Sequence, residues 1–66
     1  MQFNHKKMRD IRENVLKISR LQLALCSGLS QSYIEKLESG SRKSPSYIST
    51  IKLAKALEVE PAELFL

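Results

Sequence analysis

The strongest constraint in this chain is a repeated piece of punctuation. Ser19 and Gln22 form an S-x-x-Q capping box, Gly28 follows six residues later, Ser30 is a second N-cap, and Gly40 closes the run. A serine at an N-cap accepts a backbone N–H that the first helical turn leaves unpaired. A glycine after a helix takes the left-handed conformation at the lowest steric cost. Ile18 with Leu23, and Leu29 with Ile34, occupy the flanking apolar staple positions of both helices. The sequence therefore predicts two short helices, about 20–27 and 31–39, joined by roughly three residues around Gly28.

So short a connection forces the second helix to cross the first steeply and at close range. That crossing needs a small residue at the contact, a residue tolerant of positive φ in the turn, and bulky apolar anchors beneath the second helix. Ala24, Gly28, and Ile34 with Leu37 supply them, and Leu23 and Leu29 complete the seam. These demands, met together, describe a helix-turn-helix over residues 20–39.

The rest of the chain is also helical in its spacing, with no strand-like alternation, internal repeat or linker. A first helix is expected from about Asn4, its N-cap, to Leu16, with Met8, Ile11 and Val15 on one face. A fourth is expected from Pro45 or Ser46 to about Leu57, with Tyr47, Ile51, Ala54 and Leu57 inward. A short fifth begins with Pro61 at its first position, and Val59 and Leu64 make a third staple. With 66 residues the chain is one domain, spanning 1–66, near the lower limit for folding without disulfides or metals. The expected fold is all-α, a compact five-helix domain, with helices 4 and 5 (about 46–65) serving packing and dimerisation.

A single cysteine, Cys26, excludes an internal disulfide, and neither it nor the lone His5 has partners at metal spacing. No metal, cofactor or catalytic constellation is expected, so the chain does not read as an enzyme. No apolar run approaches the roughly 18 residues needed to span a bilayer, and no signal-peptide pattern is visible. A soluble, cytoplasmic protein without membrane contact is the expectation. Net charge is +4, and its distribution is uneven. Residues 1–45 carry nine Lys and Arg against four Asp and Glu, whereas residues 46–66 carry two against three. A positive field over the helix-turn-helix favours a polyanion.

The stretch from Ser19 to Gly40, SRLQLALCSGLSQSYIEKLESG, resembles the Cro/phage-repressor (XRE-like) type of helix-turn-helix domain. The later Lys52–Phe65 stretch, KLAKALEVEPAELF, is similar to that family's closing helices. Two departures are visible: one extra residue between Arg12 and Ser19, and one between Gly40 and Pro45. Both are expected in turns, where insertions are tolerated.

The resemblance implies a transcriptional regulator, a repressor or dual regulator, that binds a pseudo-palindromic double-stranded DNA operator as a homodimer. In such domains the third helix enters the major groove. Gln31 is then the first candidate for reading bases, because its amide offers donor and acceptor together to adenine. Ser32, Lys36 and Tyr33 follow, Tyr33 toward a phosphate or a thymine methyl. Glu35 on the same face is expected in a surface ion pair. Phosphate contacts are expected from Ser19 and Arg20 at the start of helix 2, from Ser30, and from Arg42 and Lys43 beyond helix 3. The resemblance further implies a partly buried pair between Arg12 and Glu38 that ties helix 3 to helix 1 and aims Arg12 at a phosphate. Ile48, Phe65 and Leu66 are the candidates for a dimer surface. A second reading stays open: a repressor-like protein-interaction module, such as an antitoxin that also autoregulates. Control by a protein partner or anti-repressor is open under either reading.

Overall fold

The structure is a computed structural model, and it describes residues 2–65. Leu66 lies outside the described residues. Among the described residues the fold holds four α-helices, α1 (His5–Asp10), α2 (Arg20–Ser27), α3 (Gln31–Ser39) and α4 (Tyr47–Leu57), and closes with a 3-10 turn, Pro61–Phe65. The expected all-α architecture is present. The final helix is tighter than an α-helix, and the first changes character partway along.

Each N-cap named from the sequence forms, and Ser46 caps α4 as well. Asn4 accepts from the Lys7 amide at 3.0 Å, Ser30 from the Tyr33 amide at 3.1 Å, and Ser46 from the Ser49 amide at 3.2 Å. The capping box is reciprocal: the Gln22 amide donates to Ser19 Oγ at 3.0 Å, and the Ser19 amide donates to Gln22 Oε1 at 2.8 Å. Gly28 ends α2 with φ of 76°, and its amide donates to the Ala24 carbonyl at 2.9 Å. A Cβ at Gly28 would have open space around it, so glycine serves the turn by its φ and not by its size.

The core gathers Met8, Leu23, Ile34, Leu37, Leu53, Leu57 and Leu64, each less than 2% exposed. Burial of one such side chain is worth about 1.5–3 kcal/mol. Phe3 also belongs to the core, edge-on to Phe65 with centroids 5.6 Å apart. The Asn4 amide donates to the Leu64 carbonyl at 2.7 Å, which ties the two ends of the chain together. Helical periodicity gave no sign of Phe3, because it precedes the first cap.

Two expectations about inward faces are corrected. Val15 is exposed, not inward. Residues Ile11–Val15 form a π-helical turn, in which the Leu16 amide reaches the Ile11 carbonyl at 2.9 Å. The wider turn rotates Val15 off the face that Met8 and Ile11 share. Beyond this turn Lys17 reverses the chain at φ 56°.

On α4, Tyr47 and Ile51 are exposed, and the inner face is Thr50, Leu53, Ala54 and Leu57. Threonine is admitted there because its hydroxyl donates to the Ser46 carbonyl at 2.8 Å. Ala54 and Leu57 of the expected stripe are buried, and Thr50 and Leu53 take the inward places expected for Tyr47 and Ile51.

Candidate nucleic-acid interface

Helix α3 has two unlike faces. Ile34, Leu37 and Glu38 are buried, while Gln31, Ser32, Glu35 and Lys36 are exposed. Beneath the helix, Ala24 is 6% exposed and Leu23 fully buried, which lets α2 and α3 approach closely. The outward side chains include amide, hydroxyl and ammonium groups, the donor and acceptor types that match base edges.

The buried Glu38 is held by two arginines. Arg12 Nε donates to Glu38 Oε2 at 2.5 Å, and Arg12 Nη2 donates to Oε1 at 3.0 Å. Arg20 Nε donates to the same Oε1 at 3.0 Å, and Arg12 Nη1 donates to the Ile18 carbonyl at 2.9 Å. The anticipated Arg12–Glu38 pair is thus bidentate, with Arg20 on the same carboxylate and Glu13 Oε2 3.7 Å from Arg12 Nη2. Burial by itself would push the Glu38 carboxyl up. The hydrogen bonds and charges of Arg12 and Arg20 outweigh that and hold it below its ordinary range. Arg12 moves up, chiefly through its bond to Glu38 and against the effect of burial.

Arg12 is mostly enclosed, although it lines the cleft at the start of α2. Its side chain is 6% exposed and engaged with Glu38 and Ile18. Arg20, with a side chain 40% exposed, is the outer member of the cluster. Sequence reasoning missed the link from Arg20 to Glu38, because it depends on how α2 lies across α3.

One end of α3 faces a shallow cleft lined by Arg12, Glu13, Ser19, Arg20, Leu21 and Gln31. The cleft brings the start of α2 beside the first residue of α3. A helix leaves its first four N–H groups without partners inside the helix. Here the Gln22 amide is taken by Ser19, and the amides of Arg20 and Leu21 lie outside the capping box. Ser19 and Ser30 both use their hydroxyls as caps, so each brings a largely committed oxygen to any phosphate.

Beyond the other end of α3 lie Ser41, Arg42, Lys43 and Ser44, all exposed. The Arg42 amide donates to the Lys36 carbonyl at 3.1 Å, which folds the chain back over the helix end. The Arg42 guanidinium sits 4.9 Å from the centre of the Tyr33 ring. The Tyr33 hydroxyl accepts from the Ser46 amide at 3.2 Å. Partial burial would raise the Tyr33 phenol, but hydrogen bonds with Ser49 and Ser46 and the Arg42 charge bring it below its usual value. Tyr33, named as a base reader, is half-buried at the edge of the α3 face and connected to the loop.

Of the dimer candidates, Ile48 is 65% exposed on α4, and Phe65 is half-buried against Phe3. The exposed Tyr47 and Ile51 border an apolar groove with Pro45, Pro61, Ala62 and Phe65. Cys26 is exposed on α2. Among the described residues no group of His, Cys, Asp and Glu is arranged to hold a metal. No helix of the described residues is long and apolar enough to cross a membrane.

Comparison with known proteins agrees with this geometry. Residues 8–64 match a helix-turn-helix family. The restriction-modification controller protein C.AhdI from Aeromonas hydrophila superposes with a TM-score of 0.84 at 39% identity, covering 92% of this chain and 89% of its own. The P22 c2 repressor protein, solved in complex with synthetic operator 9T, superposes with a TM-score of 0.86 at 28% identity, covering 98% and 96%. No match was found among curated protein sequences. With its short α2–α3 connection, its polar outward α3 face and these likenesses, the chain belongs to the helix-turn-helix family of Cro/C1-type DNA-binding transcriptional regulators.

Proposed function

We propose that this chain binds a pseudo-palindromic operator as a homodimer, with α3 in the major groove, and acts in the cytoplasm as a repressor or dual regulator. The observation that carries the reading is the exposed polar face of α3 set between two cationic flanks. Gln31, Ser32 and Lys36 stand on that face, Arg20 lies at one end, and Arg42 and Lys43 lie beyond the other. In this reading Gln31 reads an adenine edge, Ser32 and Lys36 contact neighbouring bases, and the flanks hold phosphates. Ser19 and Ser30 contribute through the helix starts that they cap.

A dimer supports the reading on energetic grounds. A single recognition helix offers a few base contacts of about 1–3 kcal/mol each, which seldom suffice for tight specific binding. Two copies on a palindrome, with recognition helices about 34 Å apart, double them. Ile48 and Phe65, with Leu66, are the proposed dimer residues. The P22 c2 repressor, similar over almost the whole chain, was solved with operator DNA, and C.AhdI is a controller protein.

The test is selection of bound sequences from random duplexes, followed by titration at two salt concentrations. The expected result is an enriched inverted repeat and an affinity that falls steeply with salt, by about 0.9 log units per log unit of salt for each neutralised phosphate. Absence of enrichment at low salt would overturn the reading.

A further inference from the structure

Arg42 and Tyr33 are nine positions apart, on opposite sides of the Gly40 reversal, yet the guanidinium lies 4.9 Å from the ring centre. Two further contacts hold this arrangement. The Arg42 amide is bonded to the Lys36 carbonyl at 3.1 Å, which places the Arg42 backbone. The Tyr33 hydroxyl accepts from the amide of Ser46, the N-cap of α4, at 3.2 Å, which draws the far end of the loop toward the ring. Ser46 is in turn held by Ser49, through Oγ–Oγ contact at 2.9 Å. The 41–46 loop is therefore pinned at both ends around one aromatic side chain. Among the described residues no carboxylate lies within ion-pair distance of Arg42, in contrast to Arg9, Arg12 and Arg20.

We propose that Tyr33 is a positioning residue: its ring holds Arg42 as a pre-set clamp for a backbone phosphate, and it does not itself read a base. The inference rests on the DNA-binding reading above. An arginine free in solvent loses rotamer freedom when it grips a phosphate. One already seated on a ring face loses less, so pre-organisation strengthens the contact without adding a new one. A guanidinium over a ring still directs planar N–H donors outward, and these suit the paired oxygens of a phosphodiester. The half-buried ring is poorly placed to reach into a groove while it supports the loop.

The test is a double-mutant cycle on binding to the selected duplex and to a random one, using Arg42→Ala, Tyr33→Leu and the double variant, with Tyr33→Phe as the conservative partner. Thermal unfolding is followed in parallel, and binding is measured well below each melting temperature. Arg42→Ala is expected to weaken both duplexes about ten-fold and to make the salt slope shallower by roughly one. Tyr33→Leu is expected to weaken both about three-fold, with a shallower slope and unchanged base preference. In the double variant Tyr33→Leu adds nothing further, and Tyr33→Phe, which keeps the ring, restores most of the binding. In the free protein, the Arg42 side-chain NMR signals are expected to carry the ring-current shift in wild type and Tyr33→Phe and to lose it in Tyr33→Leu.

Independent, multiplicative effects of the two substitutions would overturn the clamp, as would a changed preference at one base position in Tyr33→Leu. Either result leaves the DNA-binding reading standing. A wild-type protein that binds no duplex at low salt overturns that reading and the clamp together.

Discussion

Arg12 and Glu38, 26 positions apart, meet in the interior with Nε and Oε2 separated by 2.5 Å. Their side chains are 6% and 2% exposed. The pair joins the π-helical turn of residues 11–15 to the C-terminal end of α3 and so ties these two elements together.

Removing one partner should therefore harm folding more than removing both. Arg12→Met leaves the Glu38 carboxylate with Arg20 alone, and the expected loss is about 3 kcal/mol by urea unfolding. In a domain this small such a loss consumes most of the stability. Arg12→Met combined with Glu38→Leu should recover a large part of it, because no buried charge is left uncompensated. A double variant no more stable than Arg12→Met would contradict this account.

The same cluster predicts acid sensitivity. The Glu38 carboxyl in the folded protein titrates below its ordinary value of 4.5, held there by Arg12 and Arg20 against the effect of burial. The unfolded chain thus binds the proton more readily, and stability rises with pH across this interval. The contribution is fully present above about pH 4.5 and is lost as pH falls through the lower, folded-state value. Glu38→Gln should flatten that part of the stability profile. An unchanged acid limb, measured by circular dichroism, would show that other carboxylates govern it.

Glu58 ends α4 with φ of 61°, in the left-handed region that favours glycine. Glu58→Gly should stabilise the domain by about 0.5–1 kcal/mol, visible as a higher melting temperature. A lower melting temperature would mean that the Glu58 side chain contributes more than its backbone strain removes.

Reading and gripping should separate by mutation. Gln31→Ala is expected to lose about 1–3 kcal/mol on the preferred duplex and to relax preference at one base position per half-site. Its effect on random duplexes should be small. If Gln31→Ala weakened all sequences alike, Gln31 would be a backbone contact.

Ile48→Glu places a charge on the exposed flank of α4 without touching the core. It is expected to leave the melting temperature of the monomer nearly unchanged and to shift sedimentation toward monomer, with weaker operator binding. Unaltered sedimentation would remove Ile48 from the dimer surface.

Much of this protein was legible along the chain because the deciding interactions are local. The caps at Asn4, Ser19, Ser30 and Ser46 bind amides three residues ahead. The reversals at Gly28 and Gly40 depend on one residue's φ. From these follow the lengths of α2, α3 and α4, the short connection between α2 and α3, and hence their crossing. The exposed face of α3 follows in turn from where Ile34 and Leu37 must point.

What the tertiary structure alone decided involves residues distant in sequence. A π-helical turn cannot be told from an α-helix by apolar spacing of so few residues, so Val15 looked inward until the turn rotated it out. Whether α4 buried Tyr47 and Ile51 or Thr50 and Leu53 depended on the rotation of a helix that is apolar on more than one side. Phe3 entered the core only because Asn4 meets Leu64 across the whole chain. The link from Arg20 to Glu38 and the seat of Arg42 on Tyr33 likewise needed α2, α3 and the 41–46 loop in place. Local hydrogen bonding sets where helices begin and end. The burial of side chains against partners far along the chain sets how they rotate and which charges they bring together.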